Sequence, residues 1–241
     1  MLQLLTILGE ILTFFYLARA VGPGFRPDGM DYYPFLLTGT TFYAFVVSSV
    51  ALFVGVVRDS QLSGTMEVLM TTSTPASLIV ALTATSSIAG RCVSMMVIIG
   101  AGLLLFGVPL RQANVLGLAV VLVLSIALTL AIGMLAAAAQ IAFRKGSGVV
   151  WLLATGGSLL SGAMFPVDSL PTPLKLLANA IPLTYSLRGL RVALLAGAPI
   201  NELMVSGCTL LIWTLVLVPV SIWLLSASVR SARLNGTLSF Y

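Results

Sequence analysis

The residues able to do chemistry are few and stand apart. Seven acids are scattered along the chain, at Glu10, Asp28, Asp31, Asp59, Glu67, Asp168 and Glu202. There is no histidine, which removes the commonest general base and the commonest metal ligand. Cys92 and Cys208 lie far apart inside apolar runs and read as small buried hydrophobes, not as a disulfide or a metal site. No GxxxxGK[ST], HExxH, CxxC or GxSxG occurs, so the chain has no P-loop for ATP and no familiar hydrolase or metal motif. One stretch gathers polar groups between apolar runs: GTMEVLMTTSTP, residues 64–75. Gly64 can start a short helix there, and Glu67 falls three positions later, where a carboxylate reaches back to the first free amides. Val68, Leu69 and Met70 supply an apolar contact. Thr71, Thr72, Ser73 and Thr74 supply hydroxyls that hydrogen-bond and stop the helix. Thr74 is a good N-cap and Pro75 a good first residue for the helix that follows. The residues by themselves also fit a plain solvated loop whose glutamate is a cap.

The elements that must hold this stretch are apolar. Of 241 residues 59% are hydrophobic and 8% charged, whereas soluble domains carry roughly a quarter charged residues. One core cannot hide so much apolar surface, so lipid must cover the outside. The class is a polytopic all-α membrane protein. A β-barrel is excluded, because uncharged runs here reach helix-spanning length. The net charge of +5 suits a protein facing an anionic leaflet and does not point to nucleic acid. Six spans are expected, at about 1–21, 34–57, 76–107, 115–142, 148–165 and 203–228, in a single domain of 1–241. The polar helix occupies 62–74. Residue 1 already lies in the first apolar run, from which a missing polar leader is expected.

Residues 166–198 differ from the rest. They carry proline at 166, 171, 173 and 182 and the cations Lys175, Arg188 and Arg191. Such a stretch is no clean span. It reads as a re-entrant hairpin of short helices, with irregular backbone facing protein or water. Six spans put both termini on one side. Counting Lys and Arg by side gives six against six, so charge leaves the orientation open. Glu10 and Arg91 are the only charges well inside candidate spans, a thin basis for ion coupling.

Taken in order, these features resemble a family. SGTMEVLMTTSTP after span two, a long third helix with Arg91, a basic FRKG turn, and SGAMFPVDSLPTPLKLLANAIPLTYSLRGLR before the last span are similar to the ABC-2 type permeases, membrane subunits of ABC exporters. The likeness covers essentially the whole chain. It implies a six-helix fold with a re-entrant extracellular hairpin, the type V exporter-like fold. It implies both termini in the cytoplasm and a place in the bacterial inner membrane. It implies two partners, a separate P-loop ATPase subunit that holds ATP and Mg and a second permease copy, identical or sister. No cofactor is expected in this chain, and catalysis would reside on the ATPase. Residues 64–75 become the coupling helix, with Gly64, Thr65, Glu67, Leu69, Met70, Thr72 and Pro75 at the ATPase. Path or gate residues would be Glu10, Arg91, Phe165, Pro166, Tyr185, Arg188 and Arg191.

Several of these have a plainer reading beside the functional one. Arg91 either pairs with Glu10 or faces the cavity between copies, or it snorkels near the surface. Arg188 and Arg191 make a gate contact or anchor the hairpin at the interface. Tyr185, like Tyr32 and Tyr33, fits an aromatic belt. Gly156, Gly157, Ser161 and Gly162 fit close helix packing or a flexible joint. The substrate expectation is a lipophilic or amphipathic small molecule, because three tryptophans are few for a glycan path. A polysaccharide or lipid-linked glycan is the alternative, and a membrane scaffold or enzyme stands as the different class.

Overall fold

The computed structural model describes residues 2–22, 24–64, 76–108, 113–143, 145–197 and 200–234. All regular structure among the described residues is helical. Helix α1 runs Leu2–Val21, and a short turn at Pro27–Gly29 leads to α2, Tyr32–Leu62. Next come α3, Ala76–Leu105, and α4, Val115–Phe143. Helix α5, Gly146–Leu160, contains a wider π turn at Leu153–Gly157. Two short helices, α6 at Thr172–Ala180 and α7 at Pro182–Arg191, precede a second π turn at Val192–Ala196. The last helix, α8, is Ile200–Leu234.

Four helices among the described residues are long and apolar enough to cross a membrane: Tyr32–Leu62, Ser86–Leu105, Val115–Phe143 and Leu203–Ala232. The last buries only 17% of its most apolar window and exposes Ile212, Leu215, Val216 and Trp223. Water would not tolerate that face on so long a helix, and lipid does. The helix ends follow local chemistry. The Asn114 side chain accepts a 3.0 Å bond from the Gly117 N–H, the N-cap that starts α4. Gly64 takes φ +69 just beyond α2, the left-handed turn that glycine adopts without steric cost.

The chain divides into two compact units. One holds Met1–Ala44, Val93–Ser125 and Gly156–Leu210, the other Phe45–Cys92, Ile126–Thr155 and Leu211–Tyr241. In the first unit, the Tyr33 hydroxyl donates to the Gly102 carbonyl at 2.8 Å, tying α2 to α3. Gly102 has no Cβ because Leu37 fills that space. The Asn114 N–H donates to the Ala193 carbonyl at 2.9 Å, joining the start of α4 to the second π turn. In the second unit, buried Gln140 ties three helices at one point. Its Nε2 donates to Gln61 Oε1 at 3.3 Å and its Oε1 accepts from the Gly146 N–H at 2.9 Å. Gly133 leaves room for the Phe53 ring. Interior polar groups paired this way fix register as well as stability.

Candidate functional site

The first unit contains a buried cation. Arg191 ends α7 and is 4% exposed. Its position follows from the two short helices before it. Ile181 breaks the helix, Pro182 opens α7 at a position where its missing N–H is not needed, and the Thr184 hydroxyl donates to the Ala178 carbonyl at 2.8 Å. Helix α7 thus starts at a fixed angle to α6, and its buried face of Leu183, Leu187, Leu190 and Arg191 follows a helical period.

No carboxylate ion-pairs with Arg191 among the described residues. Backbone carbonyls hold it. Nη1 donates to Gly162 O at 2.8 Å, and Nη2 donates to Ala163 O and to Phe35 O, both at 2.9 Å. The guanidinium carbon lies 3.5 Å from the centroid of the Phe35 ring, a cation–π contact. The Asp28 carboxylate is the acidic group whose field acts on it. The planar five-donor fork of arginine suits several carbonyls at once, which a lysine ammonium matches less well.

Two features of the backbone make the clamp possible. The carbonyls of Gly162 and Ala163 come from the turn after α5, where Gly162 takes φ +78. The other acceptor, Phe35 O, lies inside α2, where the helical partner of that carbonyl is the N–H four residues on, at Gly39. A Cβ at Gly39 would overlap both Arg191 Nη2 and Ala163 O. Only glycine lets the guanidinium reach a carbonyl already inside a helix. Arg191 therefore pins α7 and the turn after α5 onto α2.

A cavity of about 80 Å³ opens beside the clamp, lined by Asp28, Ser161, Pro166, Asp168, Arg188 and Arg191 among others. Asp168 bonds Lys175. That hydrogen bond, and then the charge of Lys175, hold the Asp168 carboxyl below its ordinary pKa. Of the residues expected at a path or gate, the structure brings together Pro166, Arg188 and Arg191. Phe165 is exposed, and Tyr185 donates to the Asn179 carbonyl at 3.0 Å; neither lines this cavity. Glu10 lies on the exposed side of α1 and Arg91 on the exposed side of α3, and neither has an ion pair among the described residues. Of the expected coupling residues, Thr65, Glu67, Leu69, Met70, Thr72 and Pro75 lie outside the described residues.

Phe35, Gly39 and the Gly162–Ala163 carbonyls belong to the site and were not singled out as gate residues. Their signal in sequence is thin. A lone glycine in LLTGTTF reads equally as a packing residue, and a backbone carbonyl leaves no trace in residue type.

No curated protein matches the chain. The model of the ABC-2 type transporter family matches residues 3–195. That stretch takes in α1 to α7, with the Arg191 clamp and every carbonyl it holds. By this match over most of its length, the chain belongs to the ABC-2 type transporter family, as a membrane permease subunit of an ABC transporter.

Proposed function

We propose that this chain forms the translocation path of an ATP-driven exporter of lipophilic or amphipathic small molecules. In this reading it crosses the bacterial inner membrane six times, with both termini cytoplasmic. It pairs with a second permease copy and takes up the ATPase stroke through a coupling helix at 62–74. The observation that carries the reading is membership of the ABC-2 type transporter family together with four helices able to span. Helix α1, 20 residues long, and the short apolar helix Gly146–Leu160 supply the remaining two crossings. Glu10 on an exposed apolar helix supports a path or a second copy beside α1, because an acid facing lipid costs about 2.5–3.5 kcal/mol.

The segment from Phe165 to Arg191 serves as the outer lid, and Arg191 is its latch. The support is chemical. A guanidinium held by neutral carbonyls can exchange them for water without separating an ion pair, so the clamp has a second state within reach. Lysine or a carboxylate pair at this point would favour one state more strongly.

A glycan substrate is the second reading, favoured by a groove lined with Phe15, Phe25, Tyr32 and Tyr33, since sugar rings stack on aromatic faces.

The test is co-purification with a candidate ABC ATPase subunit from the same organism. Wild type should hold the ATPase and stimulate its hydrolysis. A Glu67→Lys, Met70→Asp double variant should fold and lose both. If the wild-type chain binds no ATPase, the exporter reading fails at its central link.

A further inference from the structure

A groove lies between the end of α1 and the start of α2. It measures about 460 Å³ and is lined by Phe15, Ala18, Arg19, Gly22, Phe25, Asp31, Tyr32 and Tyr33, a volume typical of small-molecule pockets. Ala18 and Gly22 are the small residues of its lining. Its walls are aromatic, and each ring is braced by another ring outside the groove or beside it. Phe15 stacks on Phe106 at 3.9 Å between centroids and meets Tyr33 edge-on at 5.6 Å. Tyr33 is fixed in turn by its bond to Gly102 O. Phe25 meets Tyr32 edge-on at 5.0 Å, and Tyr32 stacks on Phe35 at 6.4 Å. Rings held this way lose little freedom when a ligand enters.

The rim has a sign. Asp31 is already engaged by Arg26, with Nε 3.3 Å from a carboxylate oxygen. Arg19 lines the same groove and has no ion pair among the described residues. The local balance is therefore one cation in excess, beside an aromatic slot.

We propose that this groove binds an amphipathic anion, with its flat apolar body against the aromatic lining and its acidic head on Arg19. The inference rests on the transport reading, since it assigns a chemical class to what the subunit handles. It separates from that reading in the test, because ATPase binding and ligand-free hydrolysis do not depend on the groove.

The experiment uses the full-length chain in lipid nanodiscs. Two fluorescent probes of equal body and opposite head are titrated, a naphthalene sulfonate and a naphthalene trimethylammonium, with anisotropy as the readout. Wild type should bind the sulfonate about ten-fold more tightly than the ammonium probe. Arg19→Glu should reverse that order. Phe25→Ala should weaken both probes and keep the order. If Arg19→Glu leaves the ratio unchanged, the head does not sit at Arg19 and the proposal fails. If both probes bind alike and Phe25→Ala has no effect, the groove holds ordinary lipid or a face of the second copy, and the proposal fails as well.

Discussion

Arg191 Nη2 lies 2.9 Å from the carbonyl oxygen of Phe35, 156 residues away in sequence, and the same guanidinium rests on the Phe35 ring. One residue thus meets one cation with its backbone and its side chain. Hydrogen bonds to a charged group contribute about 1.5–3 kcal/mol each, and a desolvated cation–π contact adds about 2 kcal/mol. Arg191→Lys keeps the charge and loses the fork. We expect it to lower unfolding stability by at least one such bond, about 1.5–3 kcal/mol. If the segment is a lid, a cysteine placed at Ser161, which is 1% exposed, should also become reactive without ATP in a background lacking Cys92 and the exposed Cys208. Unfolding in mixed micelles and thiol labelling in liposomes measure the two effects separately.

Gly39 makes a sharper test, because the substitution is small and remote from any ligand. A methyl group there would sit on Arg191 Nη2 and Ala163 O. Gly39→Ala should cost about 1–3 kcal/mol, as overpacking does, even though alanine is the better helix former by about 1 kcal/mol. In an Arg191→Ala background part of the clash is gone. The two changes should therefore be non-additive by more than about 0.5 kcal/mol in a double-mutant cycle. Additive costs would mean that the guanidinium does not pass over Gly39.

How much of this was legible beforehand divides along a physical line. The apolar runs around α2, α4 and α8 are visible because lipid demands uninterrupted apolar length, and residue type alone carries that signal. Arg188 and Arg191 stood out as cations in a proline-broken stretch. Which of them is buried did not, because it depends on the pitch of α7 against α2. The clamp itself was illegible, since three backbone carbonyls and one missing Cβ do its work. The aromatic groove was half legible. Tyr32 and Tyr33 read as a membrane belt, while Phe15 and Phe25 join them only through ring contacts made on folding. The coupling stretch stays where the sequence reading left it, because residues 65–75 lie outside the described structure.

The Asp168–Lys175 pair predicts a weak pH dependence. Lys175 holds the Asp168 carboxyl below its ordinary value of 3.8. A carboxylate depressed on folding stabilises the folded state above its unfolded pKa, and that share is lost as pH falls through the depressed value. Asp168 is 74% exposed, so solvent screens most of the effect. Wild type and Asp168→Asn should melt within a degree or two of one another at neutral pH, wild type higher. The gap should close in strongly acidic buffer and shrink with salt. A gap that widened on acidification would reverse the assigned sign.

Gln140 gives the contrasting case, a neutral network in the second unit. Its amide donates to Gln61 and accepts from the Gly146 N–H, and both glutamines are buried. Gln61→Leu leaves the Gln140 amide with a buried N–H and no acceptor, at a cost of about 1–3 kcal/mol. Gln140→Leu is worse, because it strips the Gly146 N–H as well as Gln61. A Cβ at Gly146 would meet Gln140, so the start of α5 is shaped around this side chain. The double variant Gln61→Leu, Gln140→Leu removes both amides and should be no less stable than Gln140→Leu alone, since the orphaned Gln61 goes with its partner. Unfolding of the three variants in mixed micelles gives the ranking directly. If Gln140→Leu were as mild as Gln61→Leu, the backbone of Gly146 would have found another acceptor, and Gln140 would be a two-helix tie and not a three-helix one.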